Sequence, residues 1–222
     1  MASPKLTVRL LGPPEILLGG TPIRVDTRKA TAILAYLIAT DQPQAREHLA
    51  ALLWPEADDA SARGALRRTL STLRTALDGR WLVVDRASVR LDRGGAWADV
   101  WELRVEGRRQ EHADQLLSLL RGEFMAGFGL RDAPEFDDWV LAQADAWRQH
   151  AISALDAAAR NLASSGDLPA AIDAAGRRLE LDRLDEEGHR QLMELRARAG
   201  DRSGAVRQYR SLVRLLADEL SV

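Results

Sequence analysis

The stretch "ARGALRRTLSTLRTALDGR", Ala62–Arg80, carries five arginines and one acid, Asp78, in a chain whose formal net charge is -2. At about 100° of rotation per residue, Ala62, Leu66, Leu70, Leu73 and Leu77 fall in one narrow stripe, so the stretch reads as an amphipathic helix with that stripe in a core. Asp58, Asp59 and Ser61 are candidate N-caps, and the helix is expected to run to Leu77. Ala65, Thr69 and Ala76 flank the stripe and are small enough to let a neighbouring element approach. The remaining arc holds Arg63, Arg67, Arg68, Ser71, Thr72, Arg74 and Thr75, with no acid anywhere between Arg63 and Thr75. A solvated helix face usually mixes signs through i,i+4 pairs, and arginine is a good helix former in any case. Arginine and hydroxyl side chains are also the groups that contact phosphates and base edges in DNA. Taken alone, the helix supports both readings.

Its surroundings sharpen the choice. Upstream, "LTVRLLG" from Leu6, "PEILLGG" from Pro14 and "TPIRV" from Thr21 read as short strands separated by Gly and Pro, a small antiparallel sheet. From Thr27 the period changes, and Ala30, Ile33, Leu34, Leu37 and Ile38 mark one helix face. "DQPQA" breaks that helix, because Pro43 cannot continue it. A shorter helix, "REHLAALLWP", follows, with Leu49, Leu52 and Leu53 inward and Pro55 at its end. Downstream, "WLVVDRASVRLD" gives two β-rich runs around Asp85-Arg86-Ala87, a hairpin that bears Arg86 and Arg90. Three helices followed by an arginine-bearing hairpin form a winged helix-turn-helix, in which the third helix enters the major groove and the wing touches adjacent backbone.

After Gly94-Gly95 every element read from the pattern is helical, which divides the chain into residues 1–96 and 97–222. Gly166-Asp167 and Gly200-Asp201 stand 34 residues apart, and Ala163 with Ala197 and Ala171 with Ala205 share that offset. A 34-residue period is that of tetratricopeptide-like helix pairs, with the Gly-Asp turn joining two helices. Ahead of the repeat, "RGEFMAGFGLRDAPEFDDWV" supplies Phe124, Phe128, Phe136 and Trp139, expected to be a buried anchor beneath a loop rather than a ligand pocket. A long amphipathic helix is expected from about Pro134 to Ala163. The fold class is thus mainly α with a small antiparallel β part: an N-terminal winged helix-turn-helix followed by an all-α tetratricopeptide-like domain.

Composition narrows the function. The 222 residues are 46% hydrophobic and 29% charged, with no apolar run long enough for a membrane span. The opening "MASPKLTVRLLG" lacks the charged, apolar and small-residue order of a signal peptide, so it offers no argument for export. Cysteine is absent, and His48, His112, His150 and His189 have no ligand spacing, so no metal and no cofactor is expected. The acids of "EFDDW" and "LDEEGH" come without a phosphate loop or nucleophile elbow and read as helix-surface charge, so the chain is not expected to be an enzyme. Residues 1–98 hold 14 Lys and Arg against 10 Asp and Glu, whereas residues 99–222 hold 17 against 23. The near-neutral total conceals a basic half and an acidic half.

With these elements in place the chain resembles a known family. "TRKATAILAYLIA", "REHLAALLWP" and "ALRRTLSTLRTAL" look like the response-regulator-type winged helix. "GEFMAGF", "EFDDWV", "ASSGDL", "LELDRLDEEGHRQLMELRARAGDRSGAVRQY" and "ADELSV" resemble the bacterial transcriptional activator domain. Together they are similar to SARP-type transcriptional activators, or to larger regulators that append an ATPase module to the same two domains. The resemblance implies sequence-specific binding to direct repeats in double-stranded promoter DNA, self-association of protomers on that DNA, and recruitment of RNA polymerase holoenzyme through its sigma subunit. A cytoplasmic, nucleoid-associated location goes with it.

Carried over by position, "TLRTAL" matches the family's "LRKAL" ending of the recognition helix, with Leu73 and Arg74 retained and Thr75 in place of a lysine. Arg67, Arg68, Ser71 and Thr72 then face the groove, Arg63 and Arg74 act as phosphate clamps, and Arg46 at the start of the second helix sits by a phosphate, aided by the helix N-terminus. The wing "DRASVRL" departs from the family's frequent Gly-Tyr pair. The chain stops at "LADELSV", where family members continue, and is expected to be the front of a longer regulator; GxxxxGK[ST] does not occur in it. The competing reading is a protein-interaction module whose tetratricopeptide-like helices bind a partner while the winged helix serves as a scaffold that does not bind DNA.

Overall fold

The computed structural model describes residues 6–106 and 118–220; His112 lies outside them. The elements in chain order are β1 (Leu6–Arg9), β2 (Glu15–Leu18), β3 (Thr21–Pro22), α1 (Arg28–Thr40), β4 (Gln44–Ala45), α2 (Arg46–Leu53) and α3 (Asp59–Ala76). They continue with β5 (Leu82–Val84), β6 (Ser88–Leu91), β7 (Ala96–Ala98), α4 (Asp99–Glu106), α5 (Pro134–Ser165), α6 (Leu168–Leu181), α7 (Glu186–Arg198) and α8 (Arg202–Leu220). Among the described residues, one compact unit comprises the chain up to Glu102 together with Arg121–Trp147, and a second comprises Leu103–Leu120 together with the chain from Arg148 on.

In the first unit β1, β2 and β3 pair antiparallel, with Leu6 opposite Leu18 and Val8 opposite Ile16. The sheet is not wholly antiparallel, however: β7 joins the other edge of β1 in parallel, Leu6 beside Ala96. Three residues, "AWA", are too few to display an alternating pattern, so the segment read as a joint is a strand. A second sheet has the order β4-β6-β5, and β4 falls within the break after α1, where two residues find a partner strand in the hairpin. The hairpin itself forms where expected, Val84 opposite Val89.

Helix α1 is capped by Thr27, whose hydroxyl accepts from the Ala30 N–H at 3.2 Å. Ala30 and Ala32–Ala39 are all buried, so the helix is covered all round rather than on one face. One cover is an aromatic cluster: Trp139 packs on Tyr36 at 4.5 Å between ring centroids, with Phe124 and Phe136 behind it. "GEFMAGF" and the start of α5 form the anchor expected, with Phe124 and Phe136 buried but Phe128 and Trp139 only half-buried, and the core they complete is that of the winged helix. The approach is close at Gly12, whose amide donates to the Glu123 carbonyl at 2.9 Å, while Met125 N–H donates to Leu10 at 2.7 Å. Gly12 has φ 127°, and a Cβ there would lie 3.1 Å from that of Arg121, so two constraints favour glycine.

The carboxylate of Asp99 is buried at the end of β7 and accepts from the amides of Leu10, Leu11 and Val100 at 2.8–2.9 Å. Burial pushes the carboxyl up, and the three N–H groups oppose that shift. Asp99→Asn turns an NH2 group toward backbone donors that need an acceptor, and is expected to cost about 2 kcal/mol, read as a lower urea midpoint. Trp101 Nε1–H donates to the Ile38 carbonyl at 3.0 Å, a further tie beyond residue 96. Packing thus carries the first unit past the 96/97 division and adds residues 121–147, which bring two arginines and six acids. Basic charge is consequently not a property of the whole unit.

In the second unit, the later part of α5 and helices α6, α7 and α8 form the repeat array, α6 packing on α7 and α7 on α8. Both Gly-Asp turns build as the period requires. Gly166 and Gly200 take φ 91° and 85°, while Asp167 accepts from Ala170 N–H and Asp201 from Gly204 N–H. The small-residue positions differ between repeats: Ala163 and Ala171 are buried, whereas Ala197 is exposed and Ala205 half-buried. At the centre of the unit the Arg178 guanidinium, 7% exposed, donates to Asp185 at 2.6 Å, Asp156 at 3.0 Å and Gln191 at 3.3 Å.

Candidate nucleic-acid interface

Helix α3 is fixed by the stripe read from its sequence: Ala62, Leu66, Leu70, Leu73 and Leu77 are all buried. Asp58 starts it, accepting from the Ala60 and Ser61 amides at 3.0 Å each and from the Ser61 hydroxyl. These bonds, the Ser61 amide foremost, hold the Asp58 carboxyl below its ordinary range. With the leucines turned inward, Arg68, Ser71 and Thr75 lie on the opposite side of the helix at about 100° per residue. Arg63, Arg67 and Arg74 occupy one flank and Thr72 the other. All of these are exposed except Thr72, which is half-buried. The Thr75 hydroxyl donates to the Ser71 carbonyl at 3.1 Å, leaving its oxygen free to accept.

Two clefts run along α3. One, of about 700 Å³, is formed with the start of α2 and the hairpin turn, and gathers Arg46, Arg63, Arg67 and Arg86 with Glu47 at its rim. The other, of about 740 Å³, is formed with the start of α1, Trp54 and Gly129–Asp132, and takes in Arg68, Thr69 and Thr72 from α3. Ser71, Arg74, Thr75 and Arg90 line neither and stand outside both clefts. Among the described residues Arg63 alone of the α3 arginines has an acid partner, Asp59 at 3.8 Å on the exposed surface. Such a pair is weak in water. The arrangement presents a row of cationic and hydroxyl donors to any polyanion laid against it.

The hairpin turn is organised from within and tied to α2. Asp85 accepts from the Ala87 and Ser88 amides at 2.8 and 2.6 Å and from the Ser88 hydroxyl. Arg46 donates its guanidinium to the Asp85 carbonyl at 3.1 Å and its amide to the Ala87 carbonyl at 2.8 Å. Arg46 thereby positions the wing as well as lining the cleft, a role its place at a helix start does not reveal. The Ser88 amide, followed by Ala87, holds the Asp85 carboxyl below the usual aspartate range. A depressed folded pKa stabilises the turn above the unfolded pKa, and that contribution is lost as pH falls through the folded value. Hydrogen exchange is therefore expected to show the Ala87 and Ser88 amides losing protection as pH drops below the usual aspartate range, and retaining it near neutrality.

Sequence reasoning missed the second cleft's far wall. Arg28 donates Nε–H to the Gly129 carbonyl at 2.9 Å and lies over Phe128, and Lys29 pairs with Asp132 at 2.7 Å while lying over Trp54. The adjacent basic pair at the start of α1 was the available signal; Arg131 carried none, because only the docking of residues 121–147 brings it to α3.

A winged helix with a basic outer face, in one chain with a tetratricopeptide-like array, is the architecture of a two-part transcription regulator. The bacterial transcriptional activator domain model matches residues 91–222, more than half of the chain, and the chain belongs to that family. Mycobacterium tuberculosis EmbR, solved in complex with a low affinity phosphopeptide, is similar in structure with a TM-score of 0.71 at 23% identity. That match covers 98% of this chain and 61% of EmbR, so the chain spans about three-fifths of that protein's length. No curated protein sequence matches the chain. No helix among the described residues is long and apolar enough to cross a membrane.

Proposed function

We propose that the chain binds promoter DNA sequence-specifically through α3 and the wing, and activates transcription by recruiting RNA polymerase, its sigma subunit included, through the helical half. The observation that carries this reading is the acid-free outer face of α3, with Arg67, Arg68 and Arg74 unpaired among the described residues and Arg46 and Arg86 converging on its flank. In this assignment Arg68, Ser71, Thr72 and Thr75 approach base edges with Arg67, while Arg46, Arg63, Arg74, Arg86 and Arg90 hold phosphates. By role, residues 1–96 are the DNA-binding module and 97–222 the activator domain, although packing places residues 121–147 with the first.

The helical half supplies protein contacts. Leu184, Val206, Tyr209 and Val213 are exposed there, and its surplus of acid disfavours wrapping DNA. Protomers pair on direct repeats, and the protein works in the cytoplasm at the nucleoid without catalysing a reaction.

The reading is tested by titrating the protein against mixed-sequence duplex between 50 and 200 mM salt. Five phosphate-holding arginines give a log–log slope of about -4.5, roughly a five-hundredfold loss across that range. Binding that is absent, or unchanged by salt, overturns the proposal and leaves the winged helix as a scaffold.

A further inference from the structure

The geometry points to a second phosphate-contacting wall on the far flank of the recognition helix, with Arg131 of the activator-family segment as its free cation. This inference rests on the DNA-binding reading above. The two clefts share α3 and open on its opposite flanks. A helix seated in a major groove has a phosphate strand on each side, so cations on both flanks are needed to hold it in register. The wing-side cleft already supplies Arg46 and Arg86. On the other flank the wall is made by the start of α1 and the loop before α5, which bring Arg28, Lys29 and Arg131 to the cleft lined by Arg68 and Thr72.

The three basic side chains of that wall are not equivalent. Lys29 is compensated by Asp132, and Arg28 is held by the Gly129 carbonyl and the Phe128 ring. Asp132 is the cleft's acid and is already paired, so it leaves the cleft with a surplus of positive charge. Arg131 is exposed and has no partner among the described residues, and it stands on the loop whose neighbouring Gly129 and Asp132 are pinned to α1. A free guanidinium on a tethered loop is preorganised for a phosphate oxygen, which it meets with two donors. The ligand is the phosphodiester backbone of duplex DNA flanking the bases that α3 reads. Part of the acidic half thus contributes to DNA affinity.

The test compares the parent chain with Arg131→Ala and Arg131→Lys in titrations against one preferred duplex and one scrambled duplex, each at several salt concentrations. Arg131→Ala is expected to bind both duplexes about fivefold more weakly at low salt, with a salt slope shallower by about 0.9 and unchanged preference between them. Arg131→Lys retains the slope. Arg131 is exposed, so matching thermal unfolding of the three proteins is expected. If Arg131→Ala keeps the parent's affinity and slope while Arg67→Ala with Arg68→Ala loses binding, the second wall is wrong and the DNA-binding reading stands. If the parent binds neither duplex, the reading beneath it has failed.

Discussion

Replacing Arg67 and Arg68 together by alanine is expected to weaken binding to a preferred duplex by roughly 3 kcal/mol or more, about a hundredfold in Kd. Arg67 lines the wing-side cleft and Arg68 the cleft on the other flank, so the pair spans the surface of α3 that faces away from the core. Each arginine contacting guanine with two donors discriminates by about 1–3 kcal/mol against the wrong base. Affinity for scrambled duplex falls much less, because the remaining phosphate contacts are indifferent to sequence. Both side chains are exposed and neither has an ion-pair partner among the described residues, so folding is untouched. Parent-like binding by the double variant at every salt concentration would remove α3 from the interface.

The second large effect is on stability. Asp185→Ala takes from Arg178 a carboxylate at 2.6 Å and leaves the guanidinium, 7% exposed, held only by Asp156 and Gln191. Breaking a buried ion pair outright costs about 3–5 kcal/mol, and with Asp156 still beside the desolvated guanidinium the loss is expected at the lower end, about 3 kcal/mol. Asp185 also caps α7, accepting from the Gly188 amide at 3.0 Å, and losing such a cap costs about 1 kcal/mol more. Urea unfolding of the full chain, followed through helical signal, should show the transition of the repeat array moving to lower denaturant. Adding Arg178→Met should recover part of the loss, since it removes a buried guanidinium left with one of its two carboxylates while Asp156 keeps Arg160 as a partner. A shift below about 1 kcal/mol, or no recovery in the double variant, would show that the cluster is better solvated than its geometry indicates.

How far the sequence could be read follows from where each signal resides. The leucine stripe of α3 and the Gly-Asp turns are local: a helical period of 3.6 and a left-handed residue before a capping aspartate are visible in a dozen residues. The strands β4 and β7 are two and three residues long and exist only through their partners, so no period could announce them. The division read at 96/97 falls inside β7, and Phe124, Met125 and Trp139 complete the first unit from beyond it, by contacts of more than a hundred residues' separation. Of the candidate site, the α3 residues were legible because they share one helix. The gathering of Arg46 and Arg86 depended on the hairpin turn docking against α2, and the arrival of Arg131 depended on the 121–147 segment. Neither has a signature in its own residues.

The central claim, that α3 reads DNA, is tested most directly by selecting bound duplexes from a random pool with the full chain and sequencing them. The account predicts an enriched motif in direct-repeat arrangement, its half-sites about one helical turn apart as two protomers side by side on one face of the duplex require. Recovery of a pool indistinguishable from the input would contradict it.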